Sequence, residues 1–272
     1  MPRDLADVLH YFLPTDPAAE RLRNPGEEGE TEAGRGREHR ADRPAALAIV
    51  AIPIGDRDVV RAALAWNLAV EVARLGASAS LLVPADSEMS PLWPEPGPGP
   101  VGAEVVVAAA GSLRDLSRTA LDLAVTRAAD AEEGVVLVRV PPTWLPGASE
   151  GRALLRWVLL FASPERGDLA HTYGLAKHVS DGSANSRVGI TIHGARRVGE
   201  AEHAFHHLAG VARRHLNLGL VSYGLLVDDL HVYRAIVARR PIGLEHPQSR
   251  AARALRDVAR LVLEDARKDA VV

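Results

Sequence analysis

Residues 55–63, Gly55-Asp56-Arg57-Asp58-Val59-Val60-Arg61-Ala62-Ala63, gather the side chains of this chain whose types and spacing could do chemistry. They join an apolar run, Leu47 to Ile54, to a segment of helical period that begins at Val59. A strand-to-helix turn is where backbone N–H groups and the helix dipole can hold an anion such as a phosphate. That use needs glycines where a Cβ would intrude, a Lys for the β/γ oxygens and a Ser or Thr hydroxyl for magnesium. Here Gly55 stands alone, and the Asp56 and Asp58 carboxylates would repel a polyphosphate. Arg61 offers a planar fork in place of a compact ammonium, and Ala62 offers no oxygen. Two readings stay open on these residues alone: a decayed phosphate loop, or an ordinary strand–helix connection.

The elements around the turn have a clear period. Leu47–Ile54 is short, rich in β-branched residues and closed by Gly55, as a buried parallel strand is. Val60, Leu64, Leu68, Val72 and Leu75 share one helix face, Gly76 ends it, and Ser80 to Val83 starts a second strand. Further strands are expected at 104–109, 135–140, 157–163, 187–193 and 219–227, separated by helices at 113–129, after Pro164, at 199–215 and at the C-terminus. Residues 87–103 read as a Pro/Gly-rich loop. Regular alternation of this kind implies one α/β domain built on a doubly wound, mostly parallel sheet, over residues 45–268.

From Gly55 to Asn67-Leu68-Ala69 the chain resembles the MinD/ParA family of P-loop ATPases, and within it the FlhG-like proteins. The family loop reads KGGVGKTT and is followed a turn later by Asn-Leu-Ala. Counted back from Asn67, Asp56 takes the signature Lys, Arg57 and Asp58 two glycines, Val60 the third glycine, Arg61 the Walker Lys, and Ala62 and Ala63 the threonines. Pro84 replaces the first Asp of the family's Asp-x-Asp, leaving Asp86, and Arg139 stands at the magnesium-directing Asp of the Walker B strand. Downstream, Pro164, Glu165, Leu169, Tyr173, Leu175 and Lys177 match a family segment, His193 takes the place of an adenine-reading Asn, and Asp229 and Val232 are kept. The resemblance thus covers about residues 45–265, closely at scaffold positions and poorly at chemical ones. It implies a vestigial nucleotide pocket at Gly55, Asp56, Arg57, Asp58, Val60, Arg61, Ala62, Asp86, Arg139 and His193, without catalytic residues, resident metal or cofactor. The implied function is that of a non-hydrolysing pseudo-ATPase, a regulatory or positioning scaffold. The alternative is a divergent switch that still binds ATP or ADP with magnesium and dimerises.

At the N-terminus, Leu5, Val8, Leu9 and Phe12 repeat at i, i+3, i+4 and i+7 ahead of Pro14. Residues 1–20 are therefore expected to hold a short amphipathic helix, with Leu5, Val8, Leu9, Tyr11, Phe12 and Leu13 available to a partner protein. The charged, Gly/Pro-containing stretch 21–44 reads as a linker. A second copy of the chain, or an active homologue, is the other expected partner. With no cysteines, disulfides and thiolate chemistry are excluded, and a formal net charge of −3 gives no sign of a nucleic-acid binder. His203 and His207 have the i, i+4 spacing of a zinc pair, but no neighbouring Glu completes the motif, and they are read as surface histidines. Ala254, Leu255, Val258, Leu261 and Val262 form a stripe expected to cover the sheet rather than to enter a membrane. Without a signal peptide or an apolar run long enough to span a bilayer, the chain is expected in the cytoplasm.

Overall fold

Among the described residues seven of the eight strands run parallel, and their burial accounts for their composition. The computed structural model describes residues 3–12, 45–85, 94–181 and 186–270, the side chains of 9–12 and of 270 excepted. In chain order the strands are β1 (Ala48–Pro53), β2 (Ser78–Pro84), β3 (Gly97–Pro98), β4 (Glu104–Ala108), β5 (Gly134–Val140), β6 (Trp157–Ala162), β7 (Arg187–Ala195) and β8 (Leu220–Val227). Their order across the sheet is β3-β4-β2-β5-β1-β6-β7-β8, with only the β3–β4 pair antiparallel. Every residue of β5 and β6 is buried, as expected for central strands covered by helices on both faces.

The helices are α1 (Leu5–Phe12), α2 (Val59–Arg74), α3 (Leu113–Ala128), α4 (Arg166–Ser180), α5 (Val198–Leu216), α6 (Leu230–Ala238), α7 (Ile242–Glu245) and α8 (Arg250–Ala270). On one face α2 packs against α8; on the other α4 packs against α5, with α3 beside them over β1, β2 and β5. The stripe Leu255, Val258, Leu261 and Val262 on α8 is buried in this core, as its spacing requires. Asn67, matched to a family position by sequence, does structural work here. Its Oδ1 accepts from Ile242 N at 2.6 Å and its Nδ2 donates to Ala63 O at 2.7 Å, which seats α7 on α2.

Two expectations are corrected. The stretch 87–103 is not loop throughout: Gly97–Pro98 pairs with β4, and Gly99 lies so close to the Trp66 ring that a Cβ there would overlap it. The second concerns two of the expected partner residues, Leu5 and Val8, which the fold turns inward. Both are fully buried against the chain's own domain, where α1 covers the outer edge of β8. Ser222 N donates to Arg3 O at 2.8 Å, a backbone bond that satisfies part of an edge strand otherwise open to other chains. Arg3 Nη2 donates to Asp265 Oδ1 at 2.7 Å, and its guanidinium lies 5.3 Å from the centre of the Tyr223 ring. The periodicity shows that α1 needs an apolar surface; only the assembled sheet supplies one. The expected partner residues Leu9, Tyr11, Phe12 and Leu13, the linker 21–44 and Asp86 lie outside the described side chains and residues.

Candidate functional site

The sheet reverses its winding between β1 and β6. From β1 the chain crosses to β2 on one side, and from β6 to β7 on the other, so the turns after β1 and β6 meet at the carboxyl ends of neighbouring strands. In open α/β sheets this crevice is where ligands bind. Both turns place charged residues in it.

Asp58 caps α2, its Oδ1 accepting from Arg61 N at 3.0 Å. Arg61 then folds back over the cap. Its Nη1 donates to Asp58 Oδ2 at 2.6 Å, its Nε donates to Phe161 O at 2.8 Å, and its Nη2 is bonded to Asp168. Asp168 lies in the first turn of α4 and also accepts from Ser163 N. The Arg61 fork therefore spans the crevice from α2 to α4, with three acceptors and most of its surface covered. Burial alone would lower the pKa of Arg61, but the hydrogen bond to Asp168 and the charges of Asp58 and Asp168 together hold it above its ordinary value. For Asp168 burial pulls upward, and the bonds from Arg61 and Ser163 outweigh it, leaving the carboxyl below the usual range.

A second pair lies beside the first. Arg139 on β5 is completely buried, with Nε at 3.3 Å from Ile54 O and Nη2 bonded to Asp56, whose side chain is half exposed. Burial lowers the Arg139 pKa and the Asp56 charge partly offsets this; so strong a base stays protonated at neutral pH. His193, at the end of β7, faces the same cluster. Burial and then the Arg61 charge push its imidazole down to about 4, against the smaller opposing effects of Asp168 and Asp58, so it is neutral at pH 7. Its Nε2 is buried without a hydrogen-bond partner among the described residues.

The sequence-derived pocket residues are thus partly brought together. Asp56 with Arg139, and Asp58 with Arg61 and His193, form one charged patch, while Gly55 to Val60 line an open cavity of about 800 Å³. Ala62 is buried in α2 and presents only its methyl group. Asp168, with the Phe161 carbonyl and the Ser163 N–H, was missed by sequence reasoning. The available signal was an acidic residue in the first turn of a helix that opens directly after a buried strand. Among the described residues no group of three or more His, Asp or Glu is arranged to hold a metal ion, His203 and His207 included.

No family model and no curated protein matches the sequence. Solved structures do match it, and they define its class: the fold is that of the MinD/ParA P-loop ATPases. The MinC:MinD cell division protein complex of Aquifex aeolicus matches with a TM-score of 0.57 at 13% identity, over 80% of this chain and 96% of that one. MinD of Pyrococcus horikoshii, solved with Mg-ADP, matches at 0.54 and 15% identity, over 80% and 97%. A ParA family ATPase of Chlorobium tepidum matches at 0.52 and 13% identity, over 79% and 98%. At such identities the likeness fixes the fold and leaves the chemistry to the site itself. Among the described residues no helix is long and apolar enough to cross a membrane.

Proposed function

We propose that this protein is a non-hydrolysing pseudo-ATPase of MinD/ParA fold, FlhG-like in its resemblance, that acts as a regulatory or positioning scaffold through protein contacts. One observation carries the reading: the Asp58–Arg61–Asp168 network uses the cation at the Walker lysine position for internal ion pairs. The residues present do not fit a magnesium nucleotide. The position of the metal-binding hydroxyl is an alanine, Ala62, and that of the metal-directing carboxylate is the buried cation Arg139. Asp56 and Asp58 add negative charge where phosphates would have to sit. Fold and hydrolysis separate readily in this way, because the sheet depends on burial while catalysis depends on a handful of polar groups. A partner contact through α1 would first have to release Leu5, Val8 and Arg3 from the chain's own sheet.

A competing reading, a divergent nucleotide-dependent switch, is favoured by the open cavity of about 800 Å³ over the turn, which is roomy enough for a nucleotide. Thermal denaturation with ATP or ADP, with and without magnesium, separates the two. Nucleotide at about 100 times its Kd would add about 2.7 kcal/mol to the folded state. No shift at millimolar nucleotide is the expected result. A saturable shift of several degrees that is lost in Arg61→Ala would overturn the pseudo-ATPase reading in favour of the switch.

A further inference from the structure

Helix α6 carries apolar residues on two faces. Ala235 and Ile236 are buried against the domain. Leu230, Tyr233 and Val237, at i, i+3 and i+7, turn the other way, with 61%, 47% and 73% of their surface exposed. α7, packed beside α6, adds Leu244 at 42%. A single exposed apolar side chain is ordinary, but three on one face of a nine-residue helix form a stripe. With Leu244 they present on the order of 400 Å² per copy, the size of patch that marks an interaction site on a monomer.

The charges from Asp228 to Glu245 are sorted along the helix. Asp228 and Asp229 precede α6, Arg234 stands at its middle beside the stripe, and Arg239 and Arg240 follow it. Asp229 is turned inward, where it holds His231 and accepts from Ala251 N. Asp228 is exposed and accepts from Tyr233 Oη at 3.4 Å. Arg234 has no ion-pair partner among the described residues. Arg239 and Arg240 each have an exposed acid at 3.2 Å, Glu95 and Glu245, and exposed pairs of this kind hold weakly. Three arginines against Asp228, Glu95 and Glu245 leave the patch near neutral, so two copies of it can approach without repulsion. The order along the helix is acid, apolar, aromatic with cation, apolar, cation. Run antiparallel, that order is its own complement.

We propose that two copies of this chain pair through α6, the helices packed antiparallel about a two-fold axis that passes between Tyr233 and Arg234. Pairs equidistant from that axis then meet. Leu230 faces Val237 of the second copy, the Tyr233 ring lies under its Arg234, and Asp228 meets its Arg239. The two-fold makes every contact twice, so a stripe of one helix suffices for both sides. A contact of this area falls at the low end of specific interfaces, which makes the dimer weak and reversible. Neither the contact nor its test involves a nucleotide, so it stands or fails apart from the reading of the crevice.

The test is sedimentation velocity of the full-length protein without nucleotide, from about 5 µM to about 0.5 mM. The expected dimer has a Kd on the order of 100 µM, weakened at least tenfold by Val237→Asp, which puts a charge into the stripe. Asp228→Arg and Arg239→Asp should each weaken it roughly threefold, and the two together should restore it, because the charges then meet again with their signs exchanged. All three positions are exposed, and unchanged melting curves confirm that the variants fold. A chain that stays monomeric at about 0.5 mM overturns the proposal. So does a dimer that Val237→Asp leaves intact, or a double variant that pairs no more tightly than either single one. A dimer that forms only with ATP and magnesium would belong to the crevice instead, which also overturns it.

Discussion

Asp168→Asn removes one charge from the crevice and leaves its shape unchanged. Breaking a fully buried ion pair from one side costs about 3–5 kcal/mol, because the remaining charge is stranded. Here Arg61 and Asp168 keep 14% and 16% of their side-chain surface, and Arg61 retains Asp58 and the Phe161 carbonyl, so about 2 kcal/mol is the reasonable expectation. For a domain of this size that corresponds to a fall in Tm of about 4–8 °C. The pH dependence makes the test sharp. Asp168 has a folded pKa below its unfolded value, so its contribution is complete above about pH 4 and is lost as pH falls through the folded pKa. Urea denaturation of both proteins at a series of pH values from 7 downward should show the gap in stability narrowing in acid. A gap that stays constant with pH, or no gap at pH 7, would refute the view that Arg61 is held by the Asp168 charge. Asp58→Asn, measured alongside, should cost less, since Asp58 is more exposed and pairs with Arg61 across a single helical turn.

Other consequences follow from the same geometry. Arg139→Asp places a buried carboxylate beside Asp56; the unfolding free energy should fall by several kcal/mol, and on the proposed reading no magnesium-dependent ATP hydrolysis should appear. Because burial and the Arg61 charge hold His193 down to about 4, its ring signals in NMR titration should stay those of a neutral imidazole through pH 5. Stability should also decline between about pH 6.5 and 4, where the unfolded state takes a proton that the folded state refuses. Leu5→Ala should cost about 3 kcal/mol, because the side chain is wholly buried, whereas a free docking helix would tolerate the change. Loss of residues 1–12 should expose the β8 edge and raise light scattering on standing. In Gly189→Ala the new methyl group meets the Tyr223 ring, so the variant should melt below the wild type.

The scaffold was legible in the residues because burial imprints itself locally. β1 and β6 are unbroken apolar runs and β5 is one interrupted only by Arg139, α2 and α8 carry helical stripes, and both patterns are fixed by the period of the backbone. The sequence likewise placed the strand-to-helix turn, which runs from Gly55 to the cap Asp58 before α2 begins at Val59, and the charged residues in and just after it. What those side chains do was decided only in the fold. Arg61 finds Asp168 across 107 positions of sequence because β1 and β6 lie side by side where the winding reverses, and no local pattern encodes that neighbour. The same holds for α1. Its spacing dictates an apolar face, but its seat on β8 depends on which strand is left at the edge, and that is a property of strand order rather than of residues 1–12.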